Sequence, residues 1–150
     1  MSKEQSAIHS STGYWVTLLA RAMEGDFEDR LKVHGITRAS AAVLNAIHFD
    51  KKSTPAALAS FIGIDGAAIT RHLDRIEKQG LIVREHDTSD RRSINLTLTS
   101  KGKKLAPKIR AASKATNEKF LMGISPSAVE DFQSTIGKML QNGNVVPKDI

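Results

Sequence analysis

The chain has 150 residues, with 22 lysines and arginines against 16 aspartates and glutamates, a formal charge of +6, and no cysteine. Hydrophobic residues at 40% and charged residues at 25% are the balance of one globular domain with a real core, not of a disordered chain. Excluded are a disulfide framework, a thiol nucleophile and a thiol redox switch. No apolar run approaches the ~18 residues of a membrane span, and the opening Met1-Ser-Lys-Glu-Gln lacks a signal-peptide apolar core, so a cytoplasmic setting is expected.

The charge is unevenly placed. Between residues 70 and 110 lie 11 basic and 5 acidic residues, while the rest of the chain holds 11 of each. Local positive potential of this kind attracts and steers phosphate, which suits a polyanionic partner. On charge alone, a solvated face with unevenly spread lysines explains it as well.

Taken in chain order, residues 10–32 read as a helix. Trp15, Leu18, Leu19, Ala22 and Met23 fall at helical offsets, Phe27 and Leu31 continue the stripe, Ser10 or Ser11 is placed to cap it, and Gly35 lies just past its end. A second helix follows Thr37, with Val43, Leu44 and Ile47 as its buried side. Thr54-Pro55 is a cap followed by proline at the first helical position; the short helix it opens runs through Leu58, Phe61 and Ile62 to Gly63. After the turn Gly63-Ile64-Asp65 a longer helix runs to about Gln79, striped by Ile69, Leu73 and Ile76 and ended by Gly80.

The period then changes. Residues 81–86 and 93–98 have the alternating, β-branched character of two strands, separated by the polar loop 87–92. Thr99 caps a long, initially lysine-rich helix to about Met122, in which Pro107 predicts a bend or an early break. Ser125-Pro126 opens a last helix ending near Gln141, followed by a frayed tail. There is no internal repeat and no low-complexity segment.

Short helix, three-residue turn, longer helix and a hairpin with a basic tip make a mainly α, winged helix-turn-helix order. Such a helix fits the DNA major groove, and the hairpin reaches the backbone or the neighbouring minor groove. With Ile69, Leu73 and Ile76 turned to the core, Gly66, Ala67, Thr70, Arg71 and Asp74 project from the other side. Asp65 is the cap, and first-turn N–H groups are available to a phosphate oxygen. Thr70 suits a base or phosphate, and Arg71 a bidentate contact with guanine. Taken alone this is also an ordinary amphipathic helix. In the hairpin loop, Arg91 and Arg92 stand side by side behind Asp87 and Asp90, placed either to enter a narrow minor groove or to pair with those acids.

Residues 69–82, Ile-Thr-Arg-His-Leu-Asp-Arg-Ile-Glu-Lys-Gln-Gly-Leu-Ile, and 90–102, Asp-Arg-Arg-Ser-Ile-Asn-Leu-Thr-Leu-Thr-Ser-Lys-Gly, resemble the MarR (multiple antibiotic resistance regulator) family of bacterial transcription factors. The helix-then-Gly-Leu, Asp-Arg-Arg and Leu-Thr-x-x-Gly segments are specific in combination, and the matching element order covers nearly the whole chain. The resemblance implies a single unit in which residues 10–36 and 100–142 are dimerisation helices and 37–99 the DNA-binding lobe. It implies a homodimer on a pseudo-palindromic operator in double-stranded DNA, usually a repressor, released by a small, often aromatic and anionic, ligand bound between the dimerisation helices and the winged lobe. On this chain Arg92 resembles the wing-tip arginine of the minor groove, Asp90 the acid that steadies the wing by pairing with Arg75, and Thr70 and Arg71 the groove readers. The oxidant-sensing branch needs cysteines that this chain lacks.

For the ligand, the candidates are Trp15, a flat indole with one N–H, and Arg38, Asn45 and His48 on or near the second helix. Dimer or core packing explains Trp15 as well, and a solvated helix start explains Arg38. The five histidines show no spacing that puts two ligands on one helical face. No metal, cofactor, catalytic triad, convergent carboxylate pair or phosphate-cradling glycine loop is expected, which speaks against an enzyme. The alternative from another class is a winged-helix module for protein interaction, without operator binding.

Overall fold

The computed structural model describes residues 9–86 and 93–145. Along them run α1 (Thr12–Lys32), α2 (Arg38–His48), α3 (Pro55–Ile62), α4 (Gly66–Lys78), β1 (Ile82–His86), β2 (Ile94–Leu98), α5 (Ser100–Phe120) and α6 (Pro126–Asn142). From α2 onward every helix starts on a side chain suited to the task. Thr37, Thr54, Asp65, Thr99 and Ser125 each accept a hydrogen bond from the backbone N–H three residues on, satisfying one of the donors a helix start leaves open. α1 differs: Ser11 stands at its cap position with no side-chain hydrogen bond to the helix.

The predicted break at Pro107 does not occur. α5 is continuous from Ser100 to Phe120 with Pro107 inside it. Proline removes the donor that Lys103 O would otherwise receive, and both residues are exposed, so water can hydrate that carbonyl.

Leu44, Leu58, Ile69, Leu73, Ile76, Ile82, Leu96 and Ile109 are all less than 2% exposed. They bring α2, α3, α4, the hairpin and the first half of α5 around one core, and each such side chain contributes about 1.5–3 kcal/mol by leaving water. The strands pair antiparallel with Ile82 opposite Leu98 and Arg84 opposite Leu96. That register turns Ile82, Leu96 and Leu98 inward and leaves Val83 and Thr97 exposed. Leu96 N also donates to Ser53 O at 2.7 Å, tying β2 to the segment before α3.

A tight joint fastens the lobe to α5. Gly80 has φ of +69°, so the chain reverses there at no steric cost. The Thr99 hydroxyl donates to Gly80 O at 2.7 Å and accepts from Gly102 N at 3.1 Å. A Cβ at position 102 would lie 2.1 Å from Leu81 O, so only glycine lets α5 approach this closely. The Gly-Leu and Leu-Thr-x-x-Gly segments are therefore two halves of one contact.

The outer helices are different. The second half of α1 packs on α5 through Asp26, whose carboxylate accepts from Arg30 at 2.7 Å, from the buried Thr116 at 2.8 Å and from Lys119 at 2.5 Å. These donors hold its carboxyl far below the usual carboxylate range, Lys119 first, then Arg30 and Thr116. The first half of α1 is bare: the apolar stripe exposes Trp15, Leu18 and Leu19, and Val16 beside it is exposed too. α6 has no buried residue at all. Among the described residues no helix is long and apolar enough to cross a membrane.

Candidate nucleic-acid interface

α3, the turn at Gly63-Ile64-Asp65 and α4 place one helix across another, with α4 held by Ile69, Leu73 and Ile76. Those three anchors dictate what points outward. Gly66, Ala67, Thr70, Arg71, Asp74 and Arg75 are all exposed, and the first two present almost no side-chain bulk. Glycine and alanine at a helix start permit close approach to a groove floor, while Thr70, Arg71 and Arg75 supply the polar reach.

The local chemistry narrows two of the sequence expectations. Asp65 accepts from Ala68 N at 2.7 Å, and that bond, helped by Ala67 N–H and the nearby Arg71 charge, holds its carboxyl below the ordinary value against the opposing effect of desolvation. Asp65 is thus a charged cap that already occupies part of the first turn, leaving fewer free N–H groups for a phosphate than expected. The Thr70 hydroxyl donates to Gly66 O at 2.8 Å, so its oxygen remains available as an acceptor and its methyl as an apolar contact.

Arg84 is a feature that the sequence reading missed. From β1 its guanidinium reaches back to α4, 2.6 Å from Asp74 and 3.5 Å from Glu77. It braces the hairpin against the helix, and it removes Asp74 from the set of free outward groups. The signal lay in an arginine on a strand of alternating character, but its partners are ten and seven residues away on another element. Asp90, Arg91 and Arg92 lie outside the described residues, and so does the expected pairing of Asp90 with Arg75.

The four ligand candidates lie on two helices, Trp15 on α1 and Arg38, Asn45 and His48 on α2. Trp15 is 57% exposed on α1, donates its indole N–H to His9 O at 2.8 Å and stacks edge-on with Tyr14. Arg38 forms an ion pair with Glu24 across α1 and α2 at 2.7 Å, both side chains partly exposed. Asn45 lies on α2 with its Oδ1 buried and lacking a hydrogen-bond partner among the described residues. His48 packs edge-on against Phe49 and lines a cleft of about 290 Å³ with Lys51, Ser53 and Lys103. Trp15, Arg38 and Asn45 line neither this cleft nor the one of about 500 Å³ edged by Lys101, Lys104 and Lys108.

A helix pair at a three-residue turn, a hairpin beside it and a basic, sterically open outward face define a winged helix-turn-helix protein. Residues 34–93, from α2 through β1, match the sequence model of the MarR family. Its fold is that of solved structures across most of its length. MepR from S. aureus, solved with DNA, is 22% identical over 88% of this chain and 98% of its own, with a TM-score of 0.79. CouR from Rhodococcus jostii, bound to p-coumaroyl-CoA, is 23% identical over 90% and 95%, with a TM-score of 0.75. The reduced form of MarR from E. coli is 22% identical over 87% and 96%, with a TM-score of 0.74.

Proposed function

We propose that the protein is a homodimeric, sequence-specific transcriptional regulator of double-stranded DNA, acting as a repressor that a small organic ligand releases from its operator. The observation that carries the reading is the outward face of α4, where a bulk-free start at Gly66 and Ala67 is followed by exposed Thr70, Arg71 and Arg75. The DNA complex of the similarly folded MepR supports it, and the acyl-CoA complex of CouR supports a small effector. In this reading α4 enters the major groove, Arg71 pairs with a guanine and Arg75 approaches the backbone. Arg92, with Arg91 and Asp90, forms the wing contact in the minor groove.

Dimerisation follows from area that a single chain cannot cover. α6 buries nothing, leaving Phe132 and Met139 exposed, and α1 leaves Trp15, Leu18 and Leu19 exposed. Residues 10–36 and 100–142 would supply the dimer region and 37–99 the reading lobe. A two-fold pair of lobes reads half-sites about 34–36 Å apart, and a ligand that favours another spacing releases the DNA by shifting that population.

Titration of fluorescent DNA from the region upstream of the protein's own gene tests this. Arg71→Ala is expected to weaken binding by about 1–3 kcal/mol and to relax preference at one base pair per half-site. Log affinity should fall with log salt at about −0.9 per phosphate neutralised. A flat salt response together with no loss in Arg71→Ala overturns the assignment.

A further inference from the structure

Along α4 and its cap every carboxylate is already engaged within the chain. Asp65 accepts from Ala68 N at 2.7 Å, and Asp74 and Glu77 both face Arg84, at 2.6 and 3.5 Å. The helix carries no asparagine or glutamine. Carboxylates and amides are the side chains that read the amino groups of cytosine and adenine in the major groove. Arg71 and Arg75, both exposed, are donors only and suit the acceptors of guanine. What marks an A·T pair for this face is then chiefly the thymine C5 methyl, which is read by apolar contact.

Thr70 is shaped for that contact. It is exposed on the outward face, and its hydroxyl donates to Gly66 O at 2.8 Å. The proton is thereby spent on the backbone. Because the β-branched Cβ is staggered, anchoring the oxygen also fixes the direction of the methyl. The methyl is left as the uncommitted end of a side chain already held in one rotamer, so little freedom remains to be lost on contact. The turn before it is cleared of bulk for no internal reason. Gly66 has no positive φ, and a Cβ there would meet nothing within 4 Å among the described residues. Neither backbone conformation nor packing calls for glycine at that position, but close approach of a short side chain to a base edge does.

We propose that Thr70 is a specificity-determining residue that reads a thymine through contact between the two methyl groups, its hydroxyl being turned back onto the helix. The inference rests on α4 being the DNA-reading helix, and adds to it the base and the atom recognised.

Titration of a duplex from the region upstream of the protein's own gene, prepared once with thymine and once with uracil throughout, tests the contact. Uracil keeps every hydrogen-bonding group of thymine and lacks only the methyl. The parent is expected to bind uracil DNA more weakly by about fourfold per half-site, the fold-change that one buried methyl group gives. Thr70→Ser, which keeps the hydroxyl and removes the methyl, should lose that factor on thymine DNA and bind uracil DNA as the parent does. Thr70→Val, which keeps the methyl and removes the hydroxyl, should bind thymine DNA as the parent does. Both variants should keep the parent's slope of log affinity against log salt, since no phosphate contact changes.

A loss in Thr70→Val equal to that in Thr70→Ser makes the hydroxyl the reader and overturns the proposal. Equal loss in Thr70→Ser on both DNAs shows that the methyl meets no thymine, and no loss at all shows that it meets nothing; either result overturns it. In each of these outcomes the parent still binds its DNA, so the operator reading stands. Failure of the parent to bind any fragment overturns both.

Discussion

The winged lobe and the terminal helices obey opposite rules. In the lobe, apolar side chains predicted at helical and strand spacings close on one another: Leu44, Leu58, Ile69 and Leu96 are at most 1% exposed. In α6 and the first half of α1 the same kind of spacing leaves Trp15 57% and Phe132 49% exposed. Amphipathic periodicity states which face of a helix will be covered, but not by what. The lobe finds its cover within the chain, and in the proposed homodimer the outer helices leave theirs to a second copy.

The sharpest way to break that contrast is a pair of truncations. Leu58→Ala, at a fully buried site in α3, is expected to cost about 2–5 kcal/mol in urea unfolding, at any protein concentration. Phe132→Ala should cost less, and its effect should depend on concentration: the sedimentation equilibrium shifts toward monomer while the lobe's unfolding at high dilution is unchanged. If Phe132→Ala destabilises a dilute monomer as much as Leu58→Ala does, α6 belongs to the chain's own core and the contrast fails.

A smaller effect probes the seam between the two regions. Asp26 is ionised far below the ordinary carboxylate range because Lys119, Arg30 and Thr116 donate to it. In the unfolded chain it titrates near pH ~3.9. The stabilisation is therefore complete above that value and is lost as pH falls toward the depressed folded-state value. The difference in unfolding free energy between the parent and Asp26→Asn should be constant from pH 7 to about 5 and narrow below about pH 4. A difference that stays constant down to pH 3 would show that this carboxylate does not couple α1 to α5.

How legible each part was depended on the range of its interactions. The caps Thr37, Thr54, Asp65, Thr99 and Ser125 act over three residues, and each was placed correctly from sequence. So were the α4 anchors, whose period is local. Of the two outcomes expected at Pro107, the early break does not occur: water can hydrate the exposed Lys103 carbonyl, and exposure is not a local property. Arg84 went unnoticed because its partners sit on another element, and the pairing of Arg38 with Glu24 was not foreseen because that acid lies 14 residues away on α1. The lysines at 101, 104 and 108 were visible as a rich first turn, but the opposite wall at His34 and Gln79 was not.

The sequence alone determined the order of helices and strands, their starts, the buried faces within the lobe and the basic outward side of α4, since each rests on periods and caps spanning a few residues. Tertiary structure decided what those faces meet. It joined Gly102 to Leu81 and Arg84 to Asp74, paired Arg38 with Glu24, and closed a basic cleft between segments more than 60 residues apart in the chain. Contacts at that separation are set by packing geometry, which no local pattern of residues encodes by itself.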